Sequence, residues 1–205
     1  MGQYGVTMAP RYPLIMNPKA RSERAQRARR FVMENATRFA IYATKSGEES
    51  AELARRFSKE GEEVVVAAGG DGTLNAVVGG LAGTKTVLGV LPTGTMNVFA
   101  RELNIPFGHL ASALDVIDGG HVKEVDLFET EGTPFVQMAG VGFDAQVIEE
   151  TTTESKRRLG PLAYILSAVK VLGSEPPRMK VHFDEGFAAE GACVLLGNGA
   201  LYGGQ

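Results

Sequence analysis

The chain has 205 residues, of which 44% are hydrophobic and 22% charged, and its formal net charge is −3. This length suits one large domain or two small ones, and the charge argues against a dedicated nucleic-acid-binding protein, which would usually be strongly basic. The single cysteine, Cys193, excludes an internal disulfide, and no apolar run approaches the ~20 residues of a membrane-spanning helix. We therefore expect a cytoplasmic protein that does not bind nucleic acid.

Short apolar strands alternate with helices through the first 120 residues, which predicts a parallel α/β sheet. Ser46 with Glu49 forms a capping box at the start of one helix, and Gly119-Gly120 ends another. The predicted strands are 12–16, 39–43, 64–68 and 86–91, and the predicted helices are 21–34, 46–59, 73–82, one ending at 103, and 109–118.

A glycine-rich turn, Gly69-Gly70-Asp71-Gly72, leads into the helix that is predicted to begin at Thr73. Backbone N–H groups at a helix N-terminus carry about half a positive charge, and a phosphate approaches them closely where Cβ atoms are missing. Asp71 is suited to hold the Mg²⁺ of a bound nucleotide, and Thr73 is suited to cap the helix or donate to a phosphate. The alternative is an ordinary turn with Asp71 as the helix cap. The turn matches neither a P-loop nor the Gly-x-Gly-x-x-Gly fingerprint.

Four connections of the predicted sheet emerge at its carboxyl edge, where open parallel sheets bind ligands. Each connection is polar or rich in glycine. We expect them to converge on one crevice, and they are Asn17 to Arg21, Thr44, Gly69 to Thr73, and Pro92 to Asn97.

The pattern changes after Gly120, where a second, β-rich domain is expected. Its predicted strands are 122–130, 133–141, 179–184 and 187–196, and the last two pair antiparallel across Glu185-Gly186. The chain stops inside a predicted turn, which implies an unfinished sheet. The predicted domains are 12–120 and 121–205. An intervening helix is predicted from an apolar stripe of Leu162, Ile165, Leu166, Val169 and Leu172.

Two motifs carry a family resemblance. Gly69-Gly70-Asp71-Gly72-Thr73-Leu74-Asn75 and Leu91-Pro92-Thr93-Gly94-Thr95-Met96-Asn97-Val98-Phe99-Ala100-Arg101 together resemble the diacylglycerol kinase catalytic domain of bacterial lipid kinases, to which sphingosine kinases are related. Asn17-Pro18, Thr44 and the segment from Gly140 to Ala145 fit the same family. The resemblance covers about residues 12–204. It implies a nucleotide-binding α/β domain of the NAD kinase and phosphofructokinase type, an antiparallel β-sandwich after it, and an active site in the cleft between them.

The resemblance also implies roles for individual residues. Asp71 would serve the Mg²⁺ of the nucleotide, Asn97 would contact substrate, and Asp144 would contact the polar head of the lipid. Arg157 and Arg158 match a basic stretch that approaches phosphates. ATP would be bound by Asn17, Pro18, Lys19, Ala20, Arg21, Thr44, Gly69, Gly70, Asp71, Gly72, Thr73, Leu74, Asn75 and Thr95.

The chain departs from the family pattern at three places. Val98 stands where Asp is common, and Ala76 stands where Glu is common. The segment from Asn198 to Gly204 resembles an Asn-Gly…Tyr-Gly-Gly stretch after which the family continues, with its general-base carboxylate and structural-metal ligands still to come. We therefore expect a truncated chain that is inactive by itself.

The expected function is ATP-dependent transfer of a phosphate to a lipid hydroxyl, such as that of diacylglycerol. The partner would be lipid at the inner membrane face, reached by peripheral contact of the five arginines between Arg21 and Arg30. A homodimer is left open. Two alternatives remain: an NAD kinase-like enzyme, which shares the Gly-Gly-Asp-Gly-Thr motif, and a nucleotide-binding fragment without catalytic activity.

Overall fold

The computed structural model describes residues 11–18, 23–142, 178–184 and 186–201, which divide into two compact units. The first unit runs to Gln137 and resumes at Asn198, and the second contains Met138–Gly197. This division differs from the boundary at residues 120 and 121 that the sequence suggested. The assignment of one part to nucleotide and the other to lipid stays a prediction.

The first unit is built on a four-stranded parallel sheet with the strand order β2-β1-β3-β4. The predicted α/β class with a parallel sheet is therefore confirmed. The strands are β1 (Tyr12–Met16), β2 (Phe39–Ala43), β3 (Val64–Gly69) and β4 (Val87–Pro92). The helices are α1 (Glu23–Glu34), α2 (Gly47–Lys59), α3 (Asp71–Leu81), α4 (Val98–Glu102) and α5 (Leu110–Asp118).

Both faces of the sheet are covered by helices, as the nearly continuous apolar strands require. On one face Leu14 of β1 packs in a cluster with Val32 of α1 and Leu114 of α5. On the other face Ile15, the next residue of β1, packs with Phe57 of α2 and Val77 of α3. Neighbouring residues of one strand thus fill opposite cores, because successive side chains of a strand point to opposite faces.

The strand order places a topological switch point between β1 and β3. From β1 the chain crosses to β2 on one side, and from β3 it crosses to β4 on the other. The connections that leave the carboxyl ends of β1 and β3 therefore diverge and leave a crevice between them, where ligands bind in sheets of this kind. The loop after Gly69 and the neighbouring loop after Pro92 are therefore the candidates for a ligand site.

Antiparallel strands follow the parallel sheet. In the first unit β5 (Phe128–Thr130) pairs with β6 (Thr133–Phe135). In the second unit β7 (Met138–Gly142) pairs with β10 (Cys193–Gly197), and β8 (Met179–His182) pairs with β9 (Ala188–Gly191). The predicted antiparallel pairing across Glu185-Gly186 is confirmed. The helix predicted around residues 162–172 lies outside the described residues.

Three of the predicted long strands are wrong in extent. Residues 122–127 form no strand, so the first begins only at Phe128. The second breaks after Phe135 because the backbone of Val136 bonds to side chains, its N–H to Asn75 and its carbonyl to Asn198. The stretch 187–196 splits at Ala192 because its two halves pair with different strands.

A polar cluster closes the amino edge of the sheet, opposite the crevice. The phenol of Tyr12 donates a hydrogen bond to Asp118 Oδ1 at 3.0 Å, and Arg38 forms an ion pair with the same carboxylate. Burial, and then the hydrogen bond to Asp118, raise the pKa of the Tyr12 phenol above its ordinary value.

We expect an absorbance titration of the tyrosines to contain a component displaced above the ordinary tyrosine pKa, which Tyr12→Phe removes. Because folding raises this pKa above an unfolded value of about 10, the stabilisation is complete below that pH and is lost as pH rises through the folded pKa. Alkaline denaturation should therefore be steeper for the native chain than for Tyr12→Phe. A high-pH component that persists in Tyr12→Phe would contradict this.

Candidate functional site

The turn after β3 exposes a helix N-terminus without a side-chain cap. Helix α3 begins at Asp71, and its N-cap is Gly70, which has no side chain to offer. The first helical hydrogen bond runs from the N–H of Leu74 to the carbonyl of Gly70 at 3.0 Å. The amides of Asp71, Gly72 and Thr73 therefore have no acceptor within the helix, and they carry its partial positive charge.

Helix α3 starts two residues before the predicted position, and this changes two expectations. Thr73 lies inside the first turn and does not cap the helix, so that prediction is wrong. The alternative, with Asp71 as the cap, is wrong as well, because Asp71 is the first helical residue. Gly70 adopts an extended conformation that any residue tolerates, so its lack of a Cβ must have another reason.

That reason is a direct contact between two backbones. A Cβ built on Gly70 would lie 3.1 Å from Cα of Gly94, in the loop after β4. A Cβ built on Gly94 would overlap Cα of Gly70 and lie 2.8 Å from Oδ1 of Asn97. The N–H of Thr93 also bonds to the carbonyl of Gly69 at 3.0 Å. The two loops at the carboxyl edge thus pack at a distance that only glycine permits.

Asn97 shapes the second of these loops. It is 4% exposed and lies in the left-handed region with φ 47°, which asparagine adopts more readily than most residues. Its Oδ1 accepts from the N–H of Gly94 at 3.0 Å, and its Nδ2 donates to the carbonyl of Gly94 at 2.8 Å. The side chain closes the turn of residues 94–97 on itself. Its predicted contact with substrate stays a prediction.

Asp71 links the two loops through its carboxylate. Its Oδ1 accepts a 3.4 Å hydrogen bond from the N–H of Phe99, in the first turn of α4. Because the α4 N-cap, Asn97, makes no side-chain cap bond, Asp71 supplies the capping acceptor from another element. A recess of about 10 Å³, close to the space that one water needs, is lined by Gly69, Gly70, Asp71, Leu74, Val90, Asn97 and Ala100.

The donor set at Asp71 fits Mg²⁺ held mainly by phosphate oxygens and water, for which one or two protein carboxylates suffice. No group of three or more acidic, histidine or cysteine side chains suited to a metal occurs among the described residues. Of the residues proposed from sequence, Asp71 is the carboxylate that the structure places at this helix N-terminus.

Other residues predicted to bind nucleotide have internal partners. Thr44 is fully buried, its N–H and hydroxyl lie 2.9 and 3.4 Å from the carbonyl of Met16, and its hydroxyl lies 2.8 Å from that of Ser50. Asn75 Oδ1 accepts from the N–H of Val136 at 3.2 Å. These four hydrogen bonds fix the backbone around the site. Thr95, in contrast, is exposed in the loop after β4.

The loop after β1 is described only in part. Asn17 is half-buried and Pro18 is exposed, with its carbonyl accepting from Arg29 Nη1 at 2.7 Å. Several predicted site residues lie outside the described part of the chain, and these are Lys19, Ala20, Arg21, Asp144, Arg157 and Arg158.

Three residues make contacts near the site that the sequence analysis did not predict. Arg24 Nη1 donates to the carbonyls of Gly94 and Thr95 at 3.4 and 2.8 Å. The guanidinium groups of Arg24 and Arg101 each lie 4.6 Å from the ring centre of Phe107. Glu102 accepts from two backbone amides of residues 200 and 201. Contacts to backbone carbonyls and amides impose no motif, so the sequence did not indicate the partners of Arg24 and Glu102.

The part of the chain that contains this turn matches a known family. Residues 11–130, more than half of the chain, match the family described as "Diacylglycerol kinase catalytic domain". The chain belongs to this family. Its predicted resemblance is thereby confirmed.

Relatives support the same family. The chain is 38% identical over 165 residues to a diacylglycerol kinase of Staphylococcus saprophyticus, covering 76% of this chain and 52% of the relative. It is 40% identical over 141 residues to a diacylglycerol kinase of Staphylococcus aureus, covering 68% and 43%. A crystal structure of a diacylglycerol kinase from Bacillus anthracis superimposes with a TM-score of 0.72 at 28% identity, covering 95% and 68%.

The chain spans about half the length of the curated relatives it matches. Among the described residues, no helix has both the length and the apolarity to cross a membrane.

The contact between Gly70 and Gly94 makes a stability prediction. Gly94→Ala should lower the free energy of unfolding by about 1–3 kcal/mol, the usual cost of forcing extra atoms into a packed site. Gly72→Ala should change it by less than about 1 kcal/mol, because that Cβ would meet no described residue beyond the adjacent helix backbone within 4 Å and alanine favours helix. Urea denaturation of both variants measures the difference, and equal stabilities would disprove the close contact.

Proposed function

We propose that this chain forms the nucleotide-binding part of an ATP-dependent kinase that phosphorylates a lipid hydroxyl, in diacylglycerol or a related lipid alcohol. The observation that carries the proposal is the uncapped N-terminus of α3, with Asp71 in its first turn. Membership of the diacylglycerol kinase family supports kinase activity. It favours lipid kinase over the NAD kinase-like alternative.

The phosphates of ATP are proposed to lie against the amides of Asp71, Gly72 and Thr73. Three donors point along the helix axis there, and the helix dipole favours an anion. Cα–Cβ bonds tilt toward the helix N-terminus, so a side chain at residue 72 would project into the space in front of these amides. Among the described residues, no atom outside the neighbouring helix backbone lies within 4 Å of that position. Gly72 therefore leaves room for a phosphate.

Asp71 is proposed to hold Mg²⁺ at the phosphates. When bound, the ion neutralises charge that develops on the phosphates during transfer, in a reaction that depends mainly on positioning and electrostatics. The hydrogen bond from Phe99 restrains the Asp71 carboxylate beside the helix N-terminus. The closed turn of residues 94–97 holds the opposite side of the recess, and its exposed Thr95 is proposed to reach the nucleotide.

The lipid side of the proposal rests on the family and on the surface of α1. Asp144 is proposed to orient the acceptor hydroxyl, as the resemblance implies. Arg27 and Arg30 are exposed, whereas Arg24 and Arg29 contact carbonyls of this unit. Docking on an anionic membrane would therefore depend on Arg27 and Arg30, at about 1 kcal/mol per arginine near the surface. A homodimer stays a prediction.

Gly72→Ala should weaken Mg²⁺-ATP binding at least about tenfold, or 1.4 kcal/mol, because its methyl group enters the proposed phosphate site. The matched control is Gly79→Ala in the same helix, whose Cβ would lie 3.9 Å from Cγ of Pro134, an ordinary van der Waals contact. Asp71→Ala should weaken binding strongly with Mg²⁺ and less without it. Isothermal titration calorimetry measures all three variants.

The comparison within α3 makes this test specific. If Gly72→Ala and Gly79→Ala bind Mg²⁺-ATP equally well, the helix N-terminus is not the phosphate site. If Asp71→Ala loses the same affinity with and without Mg²⁺, Asp71 acts on the phosphates by another route.

In a form of the protein that transfers phosphate, Asp144→Asn should reduce transfer to diacylglycerol in anionic vesicles while leaving ATP affinity nearly unchanged. Replacing Arg27 and Arg30 together by glutamine should raise the KM for vesicles and not for ATP, since only membrane docking is weakened. Radiolabelled transfer measures both, with NAD and free glycerol as competing acceptors.

Phosphorylation of NAD without any of the lipid would overturn the substrate class. An equal loss of ATP binding in Asp144→Asn would assign that residue to the nucleotide instead. A KM for vesicles that is insensitive to both salt and the paired arginine substitutions would remove α1 from membrane docking.

A further inference from the structure

Residues 198–201, here called the return segment, bring the chain back into the first unit. The N–H of Ala200 donates to Glu102 Oε1 at 3.0 Å, and the N–H of Leu201 donates to Glu102 Oε2 at 3.1 Å. Both carboxylate oxygens of one side chain thus bind successive amides. Hydrogen bonds to a charged acceptor are among the stronger ones in proteins.

Glu102 lies where helix electrostatics disfavour it. It is the last residue of α4, and a carboxylate at a helix C-terminus faces the negative end of the dipole. Its two bonds to the return segment offset that cost. Gly199 makes them possible, because a Cβ there would lie 2.8 Å from Glu102 Oε2 and 3.2 Å from Gln137 Nε2.

The other end of α4 is held by Asp71. One short helix therefore has its first turn bonded to the residue proposed to hold Mg²⁺ and its last residue bonded to the return segment. A cation bound through Asp71 Oδ1 would compete with the N–H of Phe99 for that oxygen. At 3.4 Å that hydrogen bond is long, which makes it the weakest bond of the path.

A second path joins α3 to the same segment. Asn75, one turn after Asp71, accepts from the N–H of Val136, and the carbonyl of Val136 accepts from Asn198 Nδ2 at 3.0 Å. The N–H of Asn198 also donates to the carbonyl of Gln137 at 2.8 Å. Asn198 of the return segment is thus connected to α3 through Val136. Residues 200 and 201 are connected to α3 through Glu102 and α4.

We infer that Glu102 is a positioning residue through which the state of Asp71 controls the placement of the return segment. The inference rests on the proposed function only in naming phosphate-bound Mg²⁺ as the ligand of Asp71. Binding at Asp71 releases the first turn of α4, and the change reaches residues 200 and 201 through Glu102. The path through Asn75 and Asn198 keeps the start of the segment fixed meanwhile.

Amide hydrogen exchange of Ala200 and Leu201, followed by NMR in this chain, tests the inference. Glu102→Ala should speed exchange at both amides about 10- to 100-fold, the scale of one lost hydrogen bond to a charged group. Glu102→Gln should have a smaller effect because one acceptor oxygen remains. The control is Glu60→Gln, an exposed glutamate at the end of α2 that pairs with Arg56 and should change neither amide.

The coupling itself is measured by combining variants. Asp71→Ala removes the acceptor for Phe99 and should also speed exchange at residues 200 and 201, although it touches neither. The double variant Asp71→Ala with Glu102→Ala should not exceed Glu102→Ala alone, because both act on one path. Unchanged amides in Asp71→Ala, or strictly additive effects, would overturn the inference.

The exchange of β3 and β4 amides shows whether each variant remains folded. If Glu102→Ala does not fold, Glu102→Gln takes its place in the test. Adding Mg²⁺-ATP should change exchange at residues 200 and 201 in the native chain and not in Glu102→Ala. Calorimetry on the same samples distinguishes a failure of the proposed nucleotide binding from a failure of the coupling through Glu102. Without any heat of binding the proposed function fails, while the comparison of variants still decides the coupling.

Discussion

The backbone contact between Gly70 and Gly94 constrains the whole carboxyl edge of the sheet. Strands β3 and β4 are adjacent and parallel, and Gly69 lies opposite Pro92 in their register. The loops that leave them must therefore begin side by side. The backbones of the two loops pack closely at Gly70 and Gly94 because neither residue carries a Cβ. This contact sets how far the N-terminus of α3 lies from the turn that precedes α4.

The Asp71 carboxylate has one observed role in the structure and one proposed role in the reaction. In the structure it caps α4 by accepting from the N–H of Phe99. In the proposed reaction it holds a cation. A helix of five residues is too short to be stable without tertiary contacts, so α4 depends on what its ends bind. The same residue can therefore serve the chemistry and set the position of a structural element.

Several polar residues of the crevice bond to the protein itself. Thr44 bonds to Met16 and Ser50, and Asn75 bonds to Val136. Buried polar groups need partners because an unsatisfied donor or acceptor costs about 1–3 kcal/mol. These side chains therefore fix backbone geometry around the helix N-terminus. A motif residue beside a ligand site need not touch the ligand to be required for it.

The sequence by itself determined the α/β class, the four parallel strands, the glycine turn and the family. Apolar strand segments, the capping residues Ser46 and Glu49, and glycines after strands are local signals, and local chemistry decides them. The sequence predicts the start of α3 two residues late because the N-cap, Gly70, has no side-chain cap, and no local pattern marks such a helix start.

Only the tertiary structure decided which groups meet. Glycines 70 and 94 are 24 positions apart in the chain, and no pattern in either motif indicates that their backbones touch. Glu102 is 98 and 99 positions away in the chain from the residues whose amides it binds, Ala200 and Leu201. Contacts to backbone groups impose no residue type on the partner, so they leave no trace in a single sequence. They follow from the strand order and the packing of helices on the sheet.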